Sequence, residues 1–147
     1  MAIYAKIKGA RQGALTGGVT TTGFEGQIQV NSIEFGVGGP FDVSTGQPSG
    51  KRVARPVQLT KPLDRSSPLL HQSCTTNESL TVDVSYIHEG ASHKAYATLS
   101  LKNAMIRDFN HDASFTGAAT EKISFTYTKI EFTWCDGGIV SIDDWTK

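Results

Sequence analysis

Leu80-Thr81-Val82-Asp83-Val84-Ser85-Tyr86 is the most regular stretch of the chain. Leu80, Val82, Val84 and Tyr86 fall on one face; Thr81, Asp83 and Ser85 fall on the other. A period of two marks a strand with one dry and one wet side. Glu89-Gly90-Ala91-Ser92 follows and reads as a hairpin turn. Lys94 to Ile106 returns as a long strand, with Ala95, Ala97, Leu99 and Leu101 opposite Tyr96, Thr98 and Ser100. An antiparallel pair is therefore expected at the centre of the fold.

Towards the C-terminus, Arg107 to Thr120 is polar, contains Gly117 and reads as a long loop. In Glu121 to Trp134, Ile123, Phe125 and Tyr127 alternate, and Ile130, Phe132 and Trp134 alternate one residue out of step. A bulge or bend near Thr128-Lys129 would keep both sets on the core side. Asp136-Gly137-Gly138 is a turn, and Ile139 to Trp145 is the last strand.

Towards the N-terminus, Thr60 to Cys74 holds one helix. Asp64 or Ser67 is expected to cap it, Pro68 suits its first turn, and Asn77 or the Thr pair ends it. Leu69, Leu70, Ser73 and Cys74 supply the inward stripe. Val53, Val57 and Leu59 line one face of the preceding strand, with Arg55 breaking the pattern and Pro56 suggesting an edge. Gly38 to Lys51 is a loop of about fourteen residues, a length that usually signals function. Gln27 to Val37 carries another phase slip. Ile28 and Val30, then Ile33, Phe35 and Val37, are all expected on the core side around a bulge at Asn31-Ser32. Gly9 to Gly26 is loop chemistry with room for a short strand, and Ile3, Ala5 and Ile7 alternate in a first strand.

Composition agrees. Gly is 15 of 147 residues, and Ser plus Thr is 29; these are mediocre to poor helix formers. About seven strands and one short helix close most easily as an antiparallel β-barrel or tight sandwich, an all-β single domain over 1–147. Lys plus Arg and Asp plus Glu are 14 each. There is no basic excess for nucleic acid and no basic amphipathic stretch for a membrane. No signal-peptide core opens the chain, so a cytoplasmic origin and two free thiols at Cys74 and Cys135 are expected.

Enzyme chemistry finds little footing. Gly36 to Phe41 lacks the last Gly of a dinucleotide fingerprint, and Gly46 to Arg52 is one residue short of a P-loop. Asp108, His111 and Asp112 match no common ligand frame. No cofactor, metal or catalytic residue is assigned, and His71, His88 and His93 read as surface residues. Long polar strands, long loops and a near-neutral surface suit a self-assembling unit, because unpaired strand edges can join a neighbour's sheet.

Arg55-Pro56-Val57 leading into Thr60-Lys61-Pro62-Leu63-Asp64-Arg65-Ser66-Ser67-Pro68-Leu69-Leu70 resembles the Hcp (hemolysin-coregulated protein) family of bacterial type VI secretion. Glu121, Ile123, Phe125, Tyr127, Lys129 and Ile130, then Gly138 and Asp144-Trp145, are similar too. Ala2 to Gly9 and Ile28 to Gly36 fit more loosely. The chain departs in Ala10 to Gln27, where family members often carry an acidic turn, a His and a Trp, and in loop 38–51.

The resemblance implies a phage tail-tube-like β-barrel with a flanking helix. It implies a non-enzymatic tube subunit that forms hexameric rings. The rings stack inside a sheath, are capped by the VgrG spike, are expelled on contraction and carry small effector proteins. No fused toxin domain is expected after the last strand. On that reading Gln27, Gln29 and Glu34 are candidates for the lumen. Pro40, Phe41, Asp42, Val43, Gln47 and Lys51 are candidates for the ring-stacking loop. Thr60, Lys61, Asp64, Ser67 and Pro68 form a structural helix start, with Lys61 and Asp64 as an exposed pair of little energetic weight. Three alternatives stand beside it: a phage-like tail-tube protein, a monomeric β-sandwich that binds ligands through Tyr86, Tyr96, Trp134 and Trp145, and an enzyme using Asp108, His111 and Asp112.

Overall fold

The computed structural model describes residues 1–88 and 94–145, so the hairpin turn expected at 89–92 lies outside the described residues. The chain order is β1 (Ala2–Gly9), β2 (Gly13–Leu15), β3 (Ile28–Val30), β4 (Ser32–Gly38), β5 (Val53–Pro62), α1 (Ser67–Thr76), β6 (Leu80–Ile87), β7 (Ala95–Asp112), β8 (Thr120–Thr126), β9 (Lys129–Trp134) and β10 (Ile139–Asp144). Every ladder is antiparallel. The fold is all-β with one helix among the described residues, as the periodicity requires. The strand count rises from seven to ten because the two phase slips divide β3 from β4 and β8 from β9, and the Gly-rich stretch 9–26 contributes the short β2.

Two bent paths wrap the core. The first is β7, which pairs with β6 and β9 over its first half and with β8 over its second. Asn103, at φ 49°, sits where the ladder slips between Val82↔Leu101 and Leu80↔Ala104. One extra residue there keeps Leu99, Leu101, Ala104 and Ile106 all buried. The second is β3–β4. β3 pairs with β1 and β4 with β5, and Asn31 N–H donates to Thr60 O between them. These crossings close the walls into a flattened barrel. One wall is β2/β3–β1–β6–β7–β9–β10; the other is the second half of β7 with β8–β5–β4. Ile7, Ile28, Leu59, Leu80, Leu99, Leu101, Ile123 and Phe125 fill the interior.

The core side of the second phase in β4 and β9 is not dry. Phe35, Val37, Phe132 and Trp134 are exposed, and so is Val53, contrary to the alternation. The parity is right for Phe132 and Trp134, which sit opposite Leu99 and Ala97. The other wall reaches them only at its edge, where Phe35 of β4 meets Phe132 with ring centres 5.3 Å apart, so the inward face of this end lies largely open. In β4 the register shifts between Glu34 and Gly36, but the extra residue lies on β5 between Arg55 and Gln58, so Phe35 keeps the parity of Ile33.

Arg107 to Asp112 is strand, not loop. β7 continues to Asp112 because β8 offers it a ladder that its own polar sequence does not announce. In the helix, Ser66 occupies the N-cap without a side-chain capping bond. Asp64 instead accepts from Ser66 N–H at 2.9 Å, and Ser67 lies inside the helix at its first turn. Pro68 sits in that turn, and Asn77 ends α1 in a left-handed conformation at φ 54°.

Candidate functional site

The four-stranded wall β4–β5–β8–β7 presents a mainly polar outer face, with Met105 its exposed apolar member opposite Thr126. Glu34 pairs with Gln58, Gln58 with Ser124, and Ser124 with Asp108. The next row is Ser32, Thr60, Lys122 and Asn110. These residues alternate with Val57, Leu59, Ile123 and Phe125, all buried, so the row is the outward parity of inward strands. Among the described residues, nothing pairs with the outer edge of β4 or with the second edge of β7 beyond Ala104. The wall therefore ends in two free edges on opposite sides.

Of the residues picked for the lumen, Glu34 lies on this face. Gln29 does not: β3 pairs it with Tyr4 on the other wall. Gln27 is half-buried beside the Gly17–Gly26 turn, where Val19 N–H donates to its carbonyl. The chain changes walls at Asn31, so these three residues do not share a surface. Gln58, Ser124 and Lys122 were legible as outward positions by parity, whereas Asp108 became one only through the ladder with β8.

Lys61 is not exposed. It is buried at the end of β5, where its Nζ donates to Glu121 Oε1 at 2.7 Å and lies 3.1 Å from Asp64 Oδ1. Ser67 Oγ joins the cluster, donating to Glu121 Oε1 at 2.6 Å, and His111 Nδ1 lies 3.2 Å from Glu121 Oε2. The helix start is held by this buried network rather than by a surface pair. Lys61 shares inward parity with Leu59, and Glu121 with Ile123. Two opposite charges at inward positions of adjacent strands were the available signal.

Loop 38–51 is a built structure. Phe41 and Pro48 form a bridge, Asp42 N–H donates to Gln47 O at 2.7 Å, and Ser49 N–H donates to Pro40 O at 3.0 Å. Ser44 donates to Asp42 through both its N–H and its hydroxyl, which holds the Asp42 carboxyl below its ordinary value. Phe41 and Val43 remain exposed, and Pro40, Phe41, Pro48 and Arg52 border an open surface depression of about 280 Å³. At the loop base the Arg52 guanidinium forms a two-pronged ion pair with Asp143 of β10 and lies 4.4 Å from the Trp145 ring centre. The pair depresses the Asp143 carboxyl.

Three of the four aromatics considered for a ligand face converge at the open end of the barrel. Tyr96 lies 6.4 Å from Tyr86 and 5.8 Å from Trp134, and His88 stacks on it at 3.8 Å. With Ile33 and Phe132 they border a groove of about 520 Å³. Trp145 stands elsewhere, under Arg52. Asp108 and Asp112 point to the polar face, whereas His111 points inward to Glu121. These three residues are therefore divided between two sides of one strand. Among the described residues no group of three His, Cys, Asp or Glu side chains could hold a metal ion. No helix is long and apolar enough to cross a membrane. Cys74 and Cys135 are unpaired thiols, the first half-buried and the second exposed.

The arrangement is that of a β-barrel with open sheet edges and apolar ends rather than an enclosed ligand site. A family model described as "Type VI secretion system effector, Hcp" matches residues 4–134. The chain belongs to the Hcp family. It is 35% identical to the "Major exported protein" of Pseudomonas aeruginosa, covering 97% of this chain and 94% of that one. Its fold matches a "Crystal structure of Hcp protein" with a TM-score of 0.90 at 29% identity, covering 99% of both chains. It also matches the structure of Hcp1 from E. coli EAEC 042 with a TM-score of 0.87 at 27% identity, again over 99% of both chains. Secreted protein Hcp3 from Pseudomonas aeruginosa matches with a TM-score of 0.77 at 32% identity, over 97% of this chain and 99% of that one.

Proposed function

We propose that this chain is a secreted tube subunit of the type VI secretion machine, acting as one domain over residues 1–147. Six copies close into a ring, and rings stack into a tube that a sheath surrounds and a VgrG spike caps. Assembly takes place in the bacterial cytoplasm, contraction expels the tube, and small effector proteins travel in its lumen. The subunit performs no catalysis of its own.

The observation that carries this reading is the four-stranded wall with a polar outer face and two free edges. The unpaired edge of β4 in one copy is offered to the unpaired edge of β7 in the next. Such a contact is heterologous, and repetition by rotation closes a ring. The polar rows Glu34–Gln58–Ser124–Asp108 and Ser32–Thr60–Lys122–Asn110 then line a continuous water-filled channel. The exposed Phe132, Trp134, Ile139, Val140 and Ile142 of β9–β10 supply apolar area for the same junction, more than a lone soluble domain ordinarily leaves open.

Light scattering behind size exclusion, with negative-stain images of the peak, tests this directly. The expected result is annular particles with a mass about six times the 15.8 kDa monomer. A monomer at every concentration, with no annuli, overturns the ring.

A further inference from the structure

Arg55 of β5 stands opposite Gly36 of β4, and its guanidinium is laid across that strand. A Cβ on Gly36 would meet Arg55 Nε at 2.8 Å and Cζ at 3.0 Å, and one on Gly38 would stand 4.0 Å from Nη1. Glycine at both outward positions leaves the room that the side chain takes. The cation is thereby carried from β5 to the last strand of the wall, whose far edge pairs with nothing among the described residues. Arg55 is exposed and makes no ion pair or side-chain hydrogen bond with a described residue.

The opposite edge of the wall carries the complementary charge. Asp108 and Asp112 are exposed outward residues of β7, past the point where its second edge becomes free. Asp108 has no ion pair or hydrogen bond to a described side chain, and Arg107, the bulged residue beside it, does not pair with it. Within one copy β8 separates β5 from β7, and the Arg55 guanidinium is turned the other way. A two-fold between two β7 edges would set acids against acids. A two-fold between two β4 edges would offer Arg55 only Glu34 and leave both acidic β7 edges without a cation. Joining β4 to β7 uses both edges.

Three antiparallel ladders separate β4 from β7, so β4 of one copy and β7 of the next run in opposite senses. Parity admits only shifts of two residues along such a seam. With the rows level, Glu34 faces Asp108, and like charges directly opposed are unfavourable. A two-residue shift one way sets Glu34 beside Met105 and leaves Arg55 without an acid. The same shift the other way sets Asp108 opposite Gly36 and Arg55, Asn110 opposite Glu34, and Asp112 opposite Ser32. Each carboxylate then faces a donor. We infer that Arg55 takes the Asp108 carboxylate of the next copy across Gly36, and that this pair selects the register of the seam. The inference rests on the tube-subunit reading and states which of the registers open to two free edges the ring adopts. Like-charge juxtaposition excludes the level register more strongly than the pair favours its own.

Charge reversal in trans decides it. Arg55→Glu and Asp108→Arg are made singly and together, with unfolding midpoints measured to show that each chain folds. Neither single variant is expected to form ring-mass particles at a concentration where the unaltered chain does. The double variant, and an equal mixture of the two single variants, are both expected to recover them, because every seam in either sample again joins opposite charges. Single variants that keep ring mass overturn the inference and leave the ring standing. So does loss without recovery in the double variant or the mixture, and so does recovery in the double variant alone, which would place the pair within one chain. Particles retained by Asp108→Arg but lost by Arg55→Glu would give Arg55 a different partner and overturn it too. If the unaltered chain forms no ring-mass particles, the tube-subunit reading and this inference fall together.

Discussion

Lys61 Nζ lies 2.7 Å from Glu121 Oε1, with the two side chains only 1% and 2% exposed. They join β5 to β8 at the point where α1 begins, and Ser67 of the helix donates to the same oxygen. A buried ion pair of this kind contributes less by its own strength than by what is left when one half is removed. The helix-start sequence is therefore the visible part of a junction whose other half lies sixty residues away.

Lys61→Met leaves Glu121 and Asp64 facing each other without a cation. A loss of about 3–5 kcal/mol is expected in urea unfolding. Lys61→Met with Glu121→Leu removes both charges and should recover most of that loss. If the single and double variants unfold at the same midpoint, the pair is not what holds this junction.

Glu78 is a second buried carboxylate. Its Oε2 accepts from the backbone N–H groups of Gln12 and Arg11, each at 2.8 Å, and its Oε1 accepts from Gln12 Nε2 at 2.9 Å. The backbone bond from Gln12 is the leading cause that holds the Glu78 carboxyl below its ordinary value. The unfolded chain therefore takes up the proton first. Stability from Glu78 is complete above the ordinary carboxylate range and is lost as pH falls through the depressed folded value. Glu78→Gln should cost about 1.5–3 kcal/mol at neutral pH, with the two stability curves converging on acidification. Parallel curves down to low pH would contradict this.

Gly9 lies against that carboxylate, and a Cβ there would overlap Glu78 Oε2. Gly9→Ala is expected to destabilise the wild-type chain by about 1–3 kcal/mol and to be nearly neutral in a Glu78→Ala background, since residues in contact do not behave additively. An equal cost in both backgrounds would place the strain elsewhere.

Arg52 ties the base of loop 38–51 to β10 through Asp143, and both side chains are substantially exposed. Asp143→Asn should leave the unfolding midpoint unchanged, because exposed pairs contribute little to global stability. It should nonetheless speed tryptic cleavage after Lys51 and Arg52 by freeing the loop base. The Asp143 carboxyl is held down by Arg52, so the wild-type loop is expected to become equally sensitive only well below neutral pH, which acid-tolerant protease digestion would read. A variant that resists trypsin as the wild type does would show that the loop holds itself.

Native thiol labelling should separate the cysteines. Cys135 is exposed and should react with an aryl disulfide at once, whereas half-buried Cys74 should react several-fold more slowly. Equal rates would mean that α1 opens readily.

The sequence by itself determined the strand class, the place of the helix and its end within the Thr75–Asn77 stretch, and most of the inward residues of β1, β5, β6 and β8. Alternation and turn chemistry are local, and one dry face leaves only one register for each strand. Parity with Leu59 and Ile123 was available to mark Lys61 and Glu121 as inward, yet the local pattern reads Lys61 as exposed, because a charge at an inward position explains itself only when its partner is known.

Only the tertiary structure decided how long β7 is, which wall each half of the bent strands joins, and which inward residues are actually covered. Asn110 and His111 are strand because β8 pairs with them. Glu34 and Gln29 part company because β4 pairs with β5 and β3 with β1. Phe132 has inward parity and still meets solvent, since burial depends on whether a second wall lies above it. Each of these is a pairing between residues far apart in the chain, and the energy that fixes it belongs to the pair and not to either segment alone.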